Sequence, residues 1–112
     1  MQNNHIILIF FLLLVSSNLP SMNLDQLQLD QGFKISIYAQ DLDSPRQMAE
    51  GKNGTIFVAE RGGQILALID ADQNGQIDSK VIVARDLTLS TGLSLFEGNL
   101  YFSEVSKIWR ID

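Results

Sequence analysis

Two stretches decide the fold: Asn53-Gly-Thr-Ile-Phe-Val-Ala-Glu60 and Gly98-Asn-Leu-Tyr-Phe-Ser-Glu104. Each passes from a glycine turn into an apolar strand that ends in glutamate, and the two strands lie 44 positions apart. The stretch that follows the first, Gln64-Ile-Leu-Ala-Leu-Ile-Asp70, is echoed by Lys107-Ile-Trp-Arg-Ile-Asp112. A period in the low forties with several strands per unit is typical of β-propeller blades. A β-sandwich with coincidental internal similarity is the alternative.

The pattern of apolar residues predicts strands and no helix after the N-terminal apolar segment. Ile35 and Ile37 alternate with polar residues, which predicts a strand over 34–38. Further strands are predicted over 55–59, 64–69 and 80–84, and the short apolar stretch 47–49 is a candidate inner strand. The turns contain Gly, Asn and Asp, which accept a positive φ at low cost. Antiparallel strands joined by such turns form a meander, which is one propeller blade.

These units predict an all-β chain: a β-propeller fragment of about one and a half four-stranded antiparallel blades after a signal peptide. The boundaries expected are a spacer at 23–32, a first blade at 33–88 and an incomplete second blade at 89–112. A stable array needs about three repeats. The chain is therefore expected to be a piece of a longer protein, with exposed strand edges through which it could self-associate.

The N-terminus is predicted to be a signal peptide at residues 1–22. An apolar run from Ile6 to Val15 is too short to span a bilayer of about 30 Å, and all charged residues lie at or after Asp25. Small residues place the cleavage near Ser17 to Ser21. The mature chain would be periplasmic or secreted, with no stable membrane span. An uncleaved membrane anchor is the alternative, because residues 1–5 carry no lysine or arginine.

Composition excludes several classes of function. The net charge is −5 and no basic run is present, so nucleic acid is not an expected partner. The chain has no cysteine, which excludes disulfides, thiolate catalysis and cysteine-bound metals. His5 is the single histidine and lies in the predicted signal peptide. No catalytic residue is therefore assigned.

The sharpest local motif is the acidic stretch Asp70-Ala-Asp-Gln-Asn-Gly-Gln-Ile-Asp78, which reads D-x-[DN]-x-[DN]-G-x-x-D. Calcium binds six to eight oxygen ligands. The candidate ligands are the side chains of Asp70, Asp72, Asn74 and Asp78 and the carbonyl of Gln76. The twelfth position is valine, so a helical calcium hand is not expected. A solvated hairpin, in which these residues only form the turn, is the alternative.

The order of motifs also resembles a known family. Gly32-Phe-Lys-Ile-Ser-Ile-Tyr-Ala39, Leu42-Asp-Ser-Pro-Arg-Gln-Met-Ala49 and Gly54-Thr-Ile-Phe-Val-Ala59 are similar to the opening of the glucose/sorbosone dehydrogenase family. The resemblance implies a six-bladed propeller that binds pyrroloquinoline quinone and calcium and oxidises a sugar substrate, with a histidine as general base. Two departures stand out: no histidine follows His5, and Leu89-Ser-Thr-Gly-Leu93 lacks the cofactor-contacting glutamine that the family carries.

Few other residues are candidates for a site. Arg46 and Gln47 precede the candidate inner strand and are possible cofactor contacts, although Arg46 could instead pair with Asp43 or Glu50. Glu60 and Glu104 hold equivalent repeat positions, which indicates a structural role at a strand end.

The expected function is thus the N-terminal fragment of an exported quinone-dependent sugar dehydrogenase, inactive alone. The alternatives are a non-catalytic, calcium-stabilised propeller-like binding module, or a fragment of another propeller enzyme such as a lactonase. Whether the chain itself is an enzyme is left open.

Overall fold

The structure, a computed structural model, describes residues 23–112. The predicted signal peptide at residues 1–22 lies outside the described residues. The boundary between two structural units lies between Ile35 and Ser36. The described part of the first unit contains a short 3-10 helix, Leu24–Gln26, which begins where the Asn23 side chain accepts a hydrogen bond from the Asp25 N–H at 3.0 Å. No helix within residues 23–112 has the length and apolar character needed to cross a bilayer.

The second unit is all-β and contains two antiparallel sheets. The first sheet has four strands in sequential order: β1 Pro45–Glu50, β2 Ile56–Glu60, β3 Gln64–Ile69 and β4 Ser79–Ala84. The second sheet has three: β5 Leu93–Phe96, β6 Asn99–Glu104 and β7 Lys107–Ile111. The all-β prediction is confirmed. The first sheet falls within the predicted blade at 33–88, and the second falls within 89–112.

The strand predicted over 34–38 is wrong. The chain forms no strand there, and β1 at Pro45–Glu50 is the first strand of the sheet. Tyr38 makes a single backbone hydrogen bond among the described residues, in which its carbonyl accepts from the Ile77 N–H at 3.2 Å. Instead of pairing, Tyr38, Ala39 and Leu42 cover an apolar face of the first sheet. The alternating face itself is not buried, because Ile35 is 43% exposed, and no neighbouring strand among the described residues supplies backbone partners to this segment.

Two apolar clusters lie on opposite faces of the first sheet. One joins the two sheets and contains Ala59 and Ile65 from the first with Leu93, Leu100 and Phe102 from the second. The other lies on the far face, where Val58, Leu66 and Leu68 are covered by the 38–42 segment. Full burial of each large aliphatic or aromatic side chain contributes about 1.5–3 kcal/mol. The first cluster therefore holds the two sheets together, with β1 and β5 in contact.

The two sheets repeat the same local hydrogen bonds. The Arg61 N–H donates to the Ser44 carbonyl at 3.1 Å, and 44 positions later the Val105 N–H donates to the Thr88 carbonyl at 3.1 Å. Both bonds tie the turn after the second strand to the segment that precedes the first strand of the sheet. The internal repeat seen in the sequence is thus a repeat of backbone geometry.

Candidate metal centre

The acidic motif forms the loop between β3 and β4. Its Asp, Asn and Gly residues are poor strand formers, and two of its residues take a positive φ, Gln73 at 56° and Gly75 at 88°. The Asp78 N–H donates to the Ile69 carbonyl at 2.8 Å. This bond closes the loop at its base, so the first and last aspartates of the motif are brought to the same end of the hairpin.

Three carboxylates converge in this loop. Asp70, Asp72 and Asp78 each place one oxygen within 4.8 Å of the others. Asp70 is half-buried, and the other two are exposed. Like charges at this separation repel one another, and a cation between them would turn that repulsion into attraction. The arrangement is the oxygen-rich, flexible geometry that calcium accepts.

Backbone amides hold the carboxylates in place. The two oxygens of Asp70 accept from the Asn74 N–H at 3.1 Å and from the Gly75 N–H at 2.9 Å. One oxygen of Asp78 accepts from the Ala71 N–H at 2.7 Å. A carboxylate that accepts such bonds is oriented before any ion binds, which lowers the entropy cost of binding.

The other two predicted ligands lie in the same loop. The Asn74 side-chain oxygen accepts from the Gln76 N–H at 2.9 Å, and its amide nitrogen donates to Asp72 at 2.9 Å. Asn74 is thus linked to the carboxylate cluster through Asp72. Gln76 is held by the bond from its N–H to Asn74, three residues before β4 begins at Ser79.

The loop is anchored by residues that the sequence did not indicate. The side chain of Ile77 packs against the cluster of Val58, Leu66 and Leu68, and its N–H is the donor to the Tyr38 carbonyl. Burial raises the pKa of the Tyr38 phenol, and the nearby charge of Asp70 raises it further, with a smaller contribution from Glu50. Tyr38 lies almost forty residues from Ile77 in sequence, so only the fold brings them together.

The predicted cofactor contacts, Arg46 and Gln47, are placed very differently. Pro45 pairs with Glu60 and Gln47 with Ala59, so Arg46 is the extra residue of a β-bulge. Its side chain is exposed, and no ion pair between it and Asp43 or Glu50 is observed among the described residues. The side-chain oxygen of Gln47 accepts from the Leu93 N–H at 3.2 Å. Gln47 therefore ties the two sheets together.

The segment compared with the family's cofactor-contacting stretch is also used internally. The Gly92 N–H donates to the Ser103 hydroxyl at 2.9 Å, and the Leu93 N–H donates to Gln47. Ser90 is fully buried, and its hydroxyl has no hydrogen-bond partner among the described residues. Gln47 and these amides thus bond one another within the fold, and Arg46 is the exposed member of the predicted cofactor contacts.

The two repeat-equivalent glutamates have the structural role that their positions indicated. Glu60 is 4% exposed and accepts from the Asp43 N–H at 2.7 Å. Glu104 accepts from the Thr88 N–H at 2.9 Å, and this bond lowers the pKa of Glu104. Each carboxylate thus satisfies a backbone donor near the start of its sheet.

Comparisons with protein-family models, with curated proteins and with solved structures found no match for this chain.

Proposed function

We propose that the chain is a calcium-binding module of the β-propeller type, in which the ion fastens the β3–β4 loop to the edge of the first sheet. The observation that carries this proposal is the convergence of Asp70, Asp72 and Asp78 within 4.8 Å. Asn74 and the Gln76 carbonyl are the additional candidate ligands. With water they would complete the six to eight oxygens that calcium takes.

The ion's proposed role is structural. The loop connects β3, which contributes to both apolar clusters, with the exposed edge strand β4. An ion that binds only the folded loop adds to the free energy of unfolding, by about 2.7 kcal/mol at a free concentration one hundred times Kd. Exported modules commonly bind calcium with Kd values of about 0.1–1 mM, which is consistent with the exported location expected from the N-terminus.

A calcium titration followed by calorimetry and by thermal unfolding tests the proposal. Calcium should bind with one-to-one stoichiometry and raise Tm. Asp72→Asn should weaken binding at least tenfold, because it removes one ligand charge while keeping an oxygen for the Asn74 donors. Asp86→Asn, at an exposed aspartate outside the loop, is the matched control and should bind as the parent does. Absence of any calcium-dependent heat or Tm shift at millimolar calcium would refute the proposal.

A second candidate function is a part of an exported, quinone-dependent sugar dehydrogenase. The ordered resemblance of the motifs from Gly32 to Ala59 supports it, as does Arg46, an exposed cation at a bulge on the first strand of the sheet. Bulges commonly re-aim a side chain beside a binding site. When bound, the quinone would supply hydride acceptance. In this proposal the positive charge of Arg46 would attract the anionic cofactor, and the bond between Gln47 and Leu93 would hold the two sheets together.

Quinone binding distinguishes this second candidate. Pyrroloquinoline quinone is titrated into the protein by calorimetry, with sugar-dependent dye reduction measured in parallel. Binding that is lost in Arg46→Ala and retained in Arg85→Ala would support the dehydrogenase relationship. No binding to the parent protein would leave Arg46 without a cofactor role, whereas calcium binding by the loop would be unaffected.

A further inference from the structure

The face of the first sheet that meets the second sheet follows a clear size pattern. Ala59 and Ile65 are fully buried in the cluster between the sheets, and Ala49 and Phe57 pack against them. The small residues let the second sheet approach closely, while Phe57 and Ile65 fill the space beside them. The sizes of the side chains on this face are therefore complementary to the neighbouring sheet.

Strand register assigns each of these residues an equivalent in the second sheet. Ala59 pairs with Ile65 as Ser103 pairs with Ile108. Ala49 pairs with Phe57 as Ser94 pairs with Tyr101, and Phe57 pairs with Ala67 as Tyr101 pairs with Arg110. We name this set the open face; it comprises Ser94, Tyr101, Ser103, Ile108 and Arg110.

The open face keeps the size pattern but not the burial. Two serines, Ser94 and Ser103, occupy the positions of the two alanines. Tyr101 occupies the position of Phe57, and Ile108 occupies that of Ile65. Arg110, which occupies the position of Ala67, is the one residue that departs from the pattern. Ile65 is 0% exposed, whereas its equivalent Ile108 is 79% exposed. Phe96 and Val105, at the ends of the same sheet, are also more than 60% exposed. A surface with this pattern is complementary to a sheet and costs free energy when it faces water.

We infer that the open face binds a further antiparallel sheet of the same repeat, which presents equivalents of Leu93, Leu100 and Phe102. The contact between the first and second sheets shows which chemistry fits such a face, because the same three residues cover Ala59 and Ile65. This inference does not depend on the calcium site.

A second copy of this chain does not offer that sheet. Its Leu93, Leu100 and Phe102 are already covered by its own first sheet. Its other apolar sheet face, that of Val58, is covered by Tyr38, Ala39 and Leu42. A head-to-tail contact between copies therefore lacks a free complementary face, and a separate repeat is the occupant that fits.

The test extends the chain with its own sequence. A copy of residues 71–112 is appended after Asp112, which supplies the loop, a fourth strand for the second sheet, and a third sheet with the required Leu and Phe side chains. Ile108→Lys is then made in the parent and, in the first copy only, in the extended chain. Ile82→Lys, at a residue 44% exposed on edge strand β4, is the control. Denaturation midpoints and sedimentation mass are measured for all.

The inference predicts that Ile108→Lys leaves the parent midpoint unchanged and clearly lowers that of the extended chain, while Ile82→Lys has the same effect in both. An equal effect of Ile108→Lys in the two chains would overturn it. So would an appended repeat whose amides exchange as freely as in an unfolded chain. A parent dimer that Ile108→Lys converts to monomers would also overturn it, because the open face would then be an interface between copies.

Discussion

Replacing Glu60 by alanine should destabilise the protein by about 1–3 kcal/mol. Glu60 is buried, and its carboxylate accepts a hydrogen bond from the Asp43 N–H at 2.7 Å. Alanine leaves that backbone donor without its partner, and an unsatisfied donor of this kind costs about 1–3 kcal/mol. For a unit of this size each kcal/mol corresponds to roughly 4–8 °C in Tm. A fall of about 4–24 °C is therefore expected.

Thermal unfolding followed by circular dichroism measures this fall. Glu60→Gln is the matched variant, because its side-chain carbonyl can still accept from Asp43, and it should lose clearly less stability than Glu60→Ala. If Glu60→Ala unfolds within 1–2 °C of the parent, the bond to Asp43 does not stabilise the sheet and the reasoning fails. If Glu60→Gln falls as far as Glu60→Ala, the loss comes from the negative charge and the hydrogen-bond argument is refuted.

Three further outcomes are expected. Ile65→Ala should cost about 2–5 kcal/mol in denaturant unfolding because it opens a cavity between the sheets, whereas Ile108→Ala should cost less than about 0.5 kcal/mol as an exposed change; equal costs would contradict the observed packing. The bond from Thr88 keeps the pKa of Glu104 below its usual 4.5, so its contribution is present above that pH and is lost as the pH falls through the lowered pKa. Glu104→Gln should therefore reduce the loss of Tm between pH 5 and pH 3, and an unchanged acid profile would count against the bond. Gly63→Ala should lower Tm, because its φ is +96° and a Cβ would lie 2.2 Å from the Leu87 carbonyl oxygen; an unchanged Tm would show that the turn relaxes.

The sequence predicts a strand well where the segment has an apolar strand pattern and also has a neighbouring strand with which its backbone pairs. The strand at 64–69 is found as predicted, and that at 80–84 begins one residue earlier. The segment 34–38 fails because alternation says nothing about a backbone partner, and Ile35 on the predicted apolar face is 43% exposed. Tyr38 is half-buried, and it covers a sheet without joining one.

The loop is predictable to a similar extent. The spacing of Asp70, Asp72 and Asp78 is a local property, and the fold brings the three carboxylates together as a nine-residue hairpin loop allows. The anchoring of the loop by Tyr38 is not local and has no signal in the sequence. The engagement of Gln47 with Leu93 is likewise a product of sheet packing, since 46 positions separate the two residues.

Nuclear magnetic resonance of the isotope-labelled protein during a calcium titration tests the central claim most directly. The account predicts saturable shifts that are largest for residues 70–78, include the side-chain carboxyl carbons of Asp70, Asp72 and Asp78, and spread to Tyr38 through Ile77. Spectra that stay unchanged up to millimolar calcium would contradict it, as would weak shifts scattered over all exposed carboxylates.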